Sequence, residues 1–259
     1  NGLVGYWNFD DGTAKDVTVN GNDGEFKGDA KVVNSDLALG VSIPDSNLRA
    51  ALEKALGKNE GDAITIDDLA GLEELNYEGK EDAKIADLTG IEHCINMGRL
   101  NLYNNQISNI SPISNLTNLT FLELADNEAD DISALEKLTK LETLILHSNG
   151  IRDISVLSHL TNLTTLRIPF NPVDDISVIG KLKNLTYLQI RSNGLTNIDV
   201  LSKLEQLEEL HIGENKINDI SPLKGLVKLY YLSMASNNVS DITPLSGLTK
   251  LERLYANDN

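Results

Sequence analysis

The chain has 259 residues, with 39 acidic and 22 basic side chains and a net charge of −17. So acidic a chain repels polyanions, which makes it a poor partner for nucleic acid or anionic lipid, and no nucleic acid is expected. It contains no run of 18 apolar residues that could insert into a bilayer. The single cysteine, Cys94, excludes an internal disulfide and, lying between Ile91 and Ile95, is expected to be a buried, inert thiol.

Residues 1–40 form a first segment. Val4, Tyr6 and the chain to Phe9 alternate as a strand, and the run NGNDG from Asn20 to Gly24 is a dense turn signal before Phe26. The stretch GLVGYWNFDD from Gly2 to Asp11, with GNDG from Gly21, resembles the opening strands of a laminin-G or concanavalin-like jelly roll. Only those opening strands are present, so the segment is expected to be a small β fragment or a linker. Asp10, Asp11, Asp16, Asn22 and Asp23 cluster hard oxygen ligands of the kind calcium takes. They lack the EF-hand order, and a solvated polar turn is the expected reading.

Residues 41–96 change character. After Pro44 and Asp45, Leu48, Ala51, Leu52, Ala55 and Leu56 recur on one helical face that ends at Gly57, with Asp45 or Ser46 as N-cap. Asp67, Asp68 and Leu69 open a second short helical turn. Leu72, Leu75, Tyr77, Ile85 and Leu88 then form a first, irregular repeat, lengthened by the polar insert from Gly79 to Ala83.

From residue 97 to 259 one step governs the chain. Asn105, Asn127, Asn149, Asn171, Asn193, Asn215, Asn237 and Asn259 are spaced by 22 residues, and so are the leucines from Leu100 to Leu254 five positions before them. Such a period marks a stacked solenoid. Each unit opens with an alternating L-x-L, the period of a strand, and continues with apolar residues every third position, which suits a 3₁₀-like return. The asparagine, with both donors and acceptors, is expected to satisfy backbone groups where the chain bends inward. Ser111-Pro112, Ser221-Pro222 and Thr243-Pro244 are expected to start the returns, with Ser or Thr as the cap.

This pattern resembles the short leucine-rich repeats of bacterial internalins, and the helical segment before it resembles their N-terminal cap. The resemblance implies an α/β solenoid: a horseshoe with a parallel β-sheet on the concave face, 3₁₀-like returns on the convex face, a helical N-cap, and ligand binding rather than catalysis on the concave side. The chain starts at Asn1, without a methionine, and stops within a repeat that has no cap. It is therefore expected to be an excerpt of a longer protein, or to make an end-to-end contact at its open last repeat.

The positions between the core leucines face out of the sheet. Four of the six arginines and five aromatics fall on these 24 positions, and none of the sixteen lysines does. Binding surfaces favour arginine and tyrosine and avoid lysine. Aromatics also suit a parallel sheet on propensity alone, but that does not separate Arg from Lys. The candidate ligand-binding residues are Arg99, Tyr103, Phe121, His147, Arg167, Phe170, Tyr187, Arg191, His211, Tyr231, Arg253 and Tyr255.

No catalytic or metal-binding constellation is found. His147 and His211 lie roughly 14 Å apart at about 4.8 Å per rung, Glu123 and Glu209 are further separated, and no H-x-x-x-H, C-x-x-C or phosphate-binding glycine loop occurs. No cofactor is expected. The sequence supports a non-enzymatic module of a secreted or surface-exposed bacterial protein, with a protein or polysaccharide on the concave face. Two alternatives stay open: a structural spacer or assembly unit, and an accessory domain of a secreted hydrolase.

Overall fold

The computed structural model describes residues 7–8, 15–16 and 40–259. The chain divides into two units, Asn1–Leu39 and Gly40–Asn259. In the first, β1 (Trp7–Asn8) and β2 (Lys15–Asp16) pair antiparallel, Trp7 opposite Asp16. The rest of the segment for which the laminin-G-like resemblance was expected, and the acidic turn at Asp10, Asp11, Asn22 and Asp23, lie outside the described residues.

The second unit begins with its cap. Helix α1 (Ser46–Leu56) starts at Asp45, whose carboxylate accepts the N–H groups of Asn47 and Leu48, and ends at Gly57 in the left-handed region at φ 66°. Only glycine adopts that conformation without a Cβ penalty. The face carrying Leu48, Ala51 and Leu52 is buried. The other oxygen of Asp45 accepts from Ala86 and Asp87, so one side chain ties the helix start to the first rung. Helix α2 (Ile66–Ala70) begins one residue before Asp67, on a reciprocal cap in which Thr65 accepts from Asp68 N–H and Asp68 accepts from Thr65 N–H.

Nine short strands follow in one parallel sheet: β3 (Glu74–Asn76), β4 (Arg99–Asn101), β5 (Phe121–Glu123), β6 (Thr143–Ile145), β7 (Thr165–Arg167), β8 (Tyr187–Gln189), β9 (Glu209–His211), β10 (Tyr231–Ser233) and β11 (Arg253–Tyr255). Their order in the sheet is their order in the sequence. From β4 onward each residue pairs with its equivalent one repeat on: Leu122 with Leu144, Leu144 with Leu166. The strands from β4 to β11 are the eight that the 22-residue step dictates; β3 belongs to the irregular first repeat.

Each return from β4 onward is a five-residue 3₁₀ turn, such as Ser133–Lys137 or Ser177–Lys181. A three-residue period places one apolar side chain per turn inward, and Leu135, Leu157, Ile179 and Leu201 are fully enclosed. Turns are bulkier than strands stacked about 4.8 Å apart, so the sheet lines the inner, concave side. The core is a set of stacked columns. Leu100, Leu122, Leu144, Leu166, Leu188, Leu210 and Leu232 are all fully buried, each burial contributing roughly 1.5–3 kcal/mol.

One expectation is corrected. Ser111, Ser221 and Thr243 do not cap the returns through their own hydroxyls; they are the first residues of the turns. The cap comes from two residues upstream, where Asn109, Asp131, Asp153, Asp175, Asn197, Asp219 and Asp241 accept the N–H two positions on at 2.7–2.9 Å. A side chain one bond longer than serine's spans that Asx-type turn. The bonded N–H groups hold Asp131, Asp153, Asp175 and Asp241 below the usual carboxylate range.

The asparagine ladder is as the sequence predicts. Asn171 is 2% exposed. Its Nδ2 donates to the carbonyls of Leu146, Ile168 and Pro169, and its Oδ1 accepts from the N–H groups of Asn149 and Ile151, all at 3.0–3.1 Å. Asn171→Ala would orphan those groups and is expected to cost about 1–3 kcal/mol of stability in urea unfolding. Asn184→Ala, at an exposed position with one bond to the Thr161 carbonyl, is expected to change stability by less than about 0.5 kcal/mol. Equal small effects would mean that the ladder does not hold the rungs.

The α2 cap gives a second expectation. The Thr65 N–H, with Lys58 beside it, lowers the pKa of Asp68 from 3.8 to about 2. A carboxylate depressed on folding stabilises above its unfolded pKa and loses that contribution as the pH falls through its folded one. Asp68→Asn should therefore flatten the loss of stability on acidification from about pH 4 to about pH 2, read by urea unfolding across that range. An unchanged slope would show that the cap does not titrate with folding.

Candidate functional site

All twelve candidate residues lie on the concave side of the sheet or at its edge, and the structure brings them into three adjoining groups. Successive rungs pair in register, so outward residues meet either along a column, as Arg99 and Phe121 do, or diagonally, as Tyr187 and His211 do.

The first group spans β4 to β6. The Arg99 guanidinium lies 3.9 Å from the centre of the Phe121 ring and 3.7 Å from the Glu74 carboxylate, a geometry in which the ring face attracts the cation. Tyr103 and His147 face one another at 6.1 Å, with the Asp126 carboxylate 3.4 Å from His147 Nε2. Asp126 also raises the pKa of the Tyr103 hydroxyl. Glu123 is half-buried among them; burial raises its pKa, and the charges of His147 and Arg167 pull it back.

The second group is at the centre. Arg167 donates through Nε to Gln189 at 2.9 Å, and its guanidinium carbon is 5.9 Å from the Tyr187 ring centre. Arg191 lies 5.3 Å from the Phe170 ring centre and pairs with Glu214, which also accepts from the Ser192 hydroxyl. Arg191 and then Ser192 hold the Glu214 carboxyl below its ordinary range.

The third group is a shingle of rings along β8 to β11. Tyr187, His211, Tyr231 and Tyr255 follow one another at centroid distances of 5.2, 4.7 and 5.4 Å, each tilted by 32–36° to the next. Such offset stacking is favourable for aromatic pairs. His211 Nε2 is buried and makes no hydrogen bond; it is 3.8 Å from Glu209. Burial lowers the His211 pKa, against the pull of the Glu209 charge. Arg253 stands exposed at the edge of this group, and Tyr255 is 49% exposed.

Phe170 is the outlier of the face. The residue before each ladder asparagine has positive φ: Asn104, Asp126, Ser148, Phe170, Ser192, Glu214, Ser236 and Asp258, at 52–59°. Seven of the eight are polar. Asn and Asp tolerate that region through local hydrogen bonds, whereas a bulky aromatic there is strained. Phe170 is also 49% exposed, so burial of its ring does not offset the strain. The residues that hold the arginines and histidines, Asp126, Gln189, Glu209 and Glu214, were not singled out as candidates in the sequence. Their signal was the column itself, since Asp126 and Glu214 occupy the same repeat position as Phe170.

Away from this face, two shallow clefts of about 480 and 350 Å³ lie between the returning turns. They are lined by the exposed Asx turns at Asp175 and Asp131 and their neighbours. Among the described residues no group of three or more His, Cys, Asp or Glu side chains is arranged to hold a metal ion. Cys94 is enclosed, and burial pushes its thiol up to about 12. No helix among the described residues is long and apolar enough to cross a membrane.

Three stretches, residues 98–137, 139–181 and 183–225, match the family model described as leucine rich repeats (2 copies). Among solved structures, the chain is similar to internalin C2 of Listeria monocytogenes, with 34% identity and a TM-score of 0.77 over 82% of this chain and 92% of that one. An internalin of the same organism, InlF, shares 31% identity at a TM-score of 0.60, over 85% of this chain and 79% of the other. The functional domain of InlJ, also from Listeria monocytogenes, shares 27% at a TM-score of 0.69 and is covered over 50% of its length. No curated protein matches the sequence significantly. The unbroken repeat, the parallel sheet with its helical cap and these likenesses establish that the chain belongs to the internalin-like leucine-rich repeat proteins.

Proposed function

We propose that the chain is a non-catalytic recognition module of a bacterial surface or secreted protein, and that its concave face binds a protein through the central group around Phe170, Arg191 and Tyr187. Membership of the internalin-like family supports a protein-binding role. The observation that carries the choice of site is Phe170. Its backbone sits in the left-handed region and its ring lies half in water. A strained, exposed aromatic that the fold does not need is what a binding anchor looks like before its partner covers it. Arginines on either side, with the Tyr187 ring beside them, supply guanidinium forks for carboxylates of the partner and apolar area around them.

Phe170→Ser places on this rung the residue that Ser148, Ser192 and Ser236 place on theirs. Stability in urea is expected to stay level or to rise by about 1 kcal/mol as strain is relieved. Capture of the protein partner from host-cell surface extract is expected to fall by about tenfold or more, the scale of a lost hot spot. Lys137→Ala with Lys181→Ala and Lys203→Ala, on the returning side, should leave capture unchanged. Retained capture by Phe170→Ser, or loss with the lysine variant, would place the site elsewhere and favour the spacer reading.

A further inference from the structure

We infer that Asn193 is a built-in site of spontaneous deamidation, at which the folded chain converts a ladder asparagine to aspartate or isoaspartate. This goes beyond the recognition role and does not depend on it. Two ladder asparagines precede glycine, Asn149 before Gly150 and Asn193 before Gly194. With no Cβ to hinder attack, glycine is the residue whose backbone nitrogen closes most readily on a preceding asparagine side chain. In other rungs the equivalent nitrogen is occupied: Gln106, Glu128, Lys216 and Asn238 donate to carbonyls of the preceding rung. Among the described residues, the Gly150 and Gly194 nitrogens make no such bond, and both glycines are exposed with φ 77°.

The two sites differ in how the side chain is held. Asn149 Nδ2 donates to Leu124, Leu146 and His147, and its Oδ1 accepts from Ala129 N–H. Asn193 Nδ2 donates only to Ile168 and Arg191, and its Oδ1, in a residue 8% exposed, has no partner. The cause is one rung back. The donor this oxygen should meet is Val173 N–H, by the register in which Ile151 meets Asn171 and Leu195 meets Asn215. Here the Val173 N–H does not reach it, while the next donor, Asp174 N–H, bonds the Arg152 carbonyl. The Asn193 amide is thus held by two bonds through Nδ2 and none through Oδ1, fewer than hold Asn149.

The step needs only water. Gly194 N loses its proton to solvent and attacks Cγ of Asn193; the Cγ–Nδ2 bond breaks and ammonia leaves, closing a succinimide. Water then adds to one of the two ring carbonyl carbons and reopens the ring as aspartate or isoaspartate. Either product has lost both donors and sets a carboxylate against the Ile168 and Arg191 carbonyls, which repel it. The isoaspartate also lengthens the backbone and breaks the 22-residue register beside Arg191 and Glu214.

The test is incubation of the intact folded chain at mildly alkaline pH, followed by trypsin and mass spectrometry with isoaspartyl methyltransferase labelling. The peptides Ser192–Lys203 and Leu141–Arg152 report Asn193 and Asn149 separately, and fragmentation separates Asn193 from Asn197. In the folded chain Asn193 should convert several-fold faster than Asn149, whereas in concentrated urea the two rates should converge. Equal rates in the folded chain, or conversion confined to the denatured chain, would overturn the inference.

Discussion

Turning a strand back on itself every 22 residues creates a polar problem at the same point in every rung. Where the strand ends, carbonyls from two neighbouring rungs point into a space that water does not reach, and buried carbonyls without donors are costly. The ladder amide answers this with one side chain. Asn127, for example, donates to Leu102 in the rung before it and to Leu124 in its own, while accepting from Ile107. Each rung is thus joined to the last by a polar link that fixes register, whereas the leucine columns would tolerate slippage. The strands, the 3₁₀ returns and the outward face all inherit their alignment from that link.

The same geometry dictates where function can sit. Bringing the asparagine inward forces the preceding residue to positive φ, and the fold accepts Asn, Asp, Ser or Glu there at little cost. Seven rungs comply. Phe170 does not, and Arg191 lies over it within a group of charges and rings that the core does not need. Exposed positions on a regular solenoid are interchangeable as far as stability is concerned, so a residue that departs from the cheapest choice is informative in a way that a buried leucine is not.

The spacing of identical residues is legible in sequence because it is a local property of the repeat. Asn105 to Asn259 and the leucines announce the strands, the returns and the fold. What sequence reading misassigned was short-range chemistry within the unit: Ser111 looked like a cap, but Asn109 spans the turn. What it could not reach were contacts set by offset between rungs. Tyr187 and His211 occupy different columns of strands that pair in register, and meet only diagonally across two neighbouring rungs. The orphaned oxygen of Asn193 depends on where the Val173 N–H of the preceding rung falls, which has no meaning until the rungs are stacked.

Pairing each rung only with its sequence neighbour also shapes how the chain must assemble. Sheet proteins are slow folders when their strands are distant in sequence, because a long loop has to close before any contact rewards it. Here every strand from β4 onward pairs with one a single repeat away. The entropy of closure is therefore small and the same at each step, giving an all-parallel sheet the low contact order of a helical bundle. Such a topology favours growth as a zipper, one rung templating the next. The rung at Pro172, where a link of the ladder is missing, is the point at which that propagation has least to hold on to.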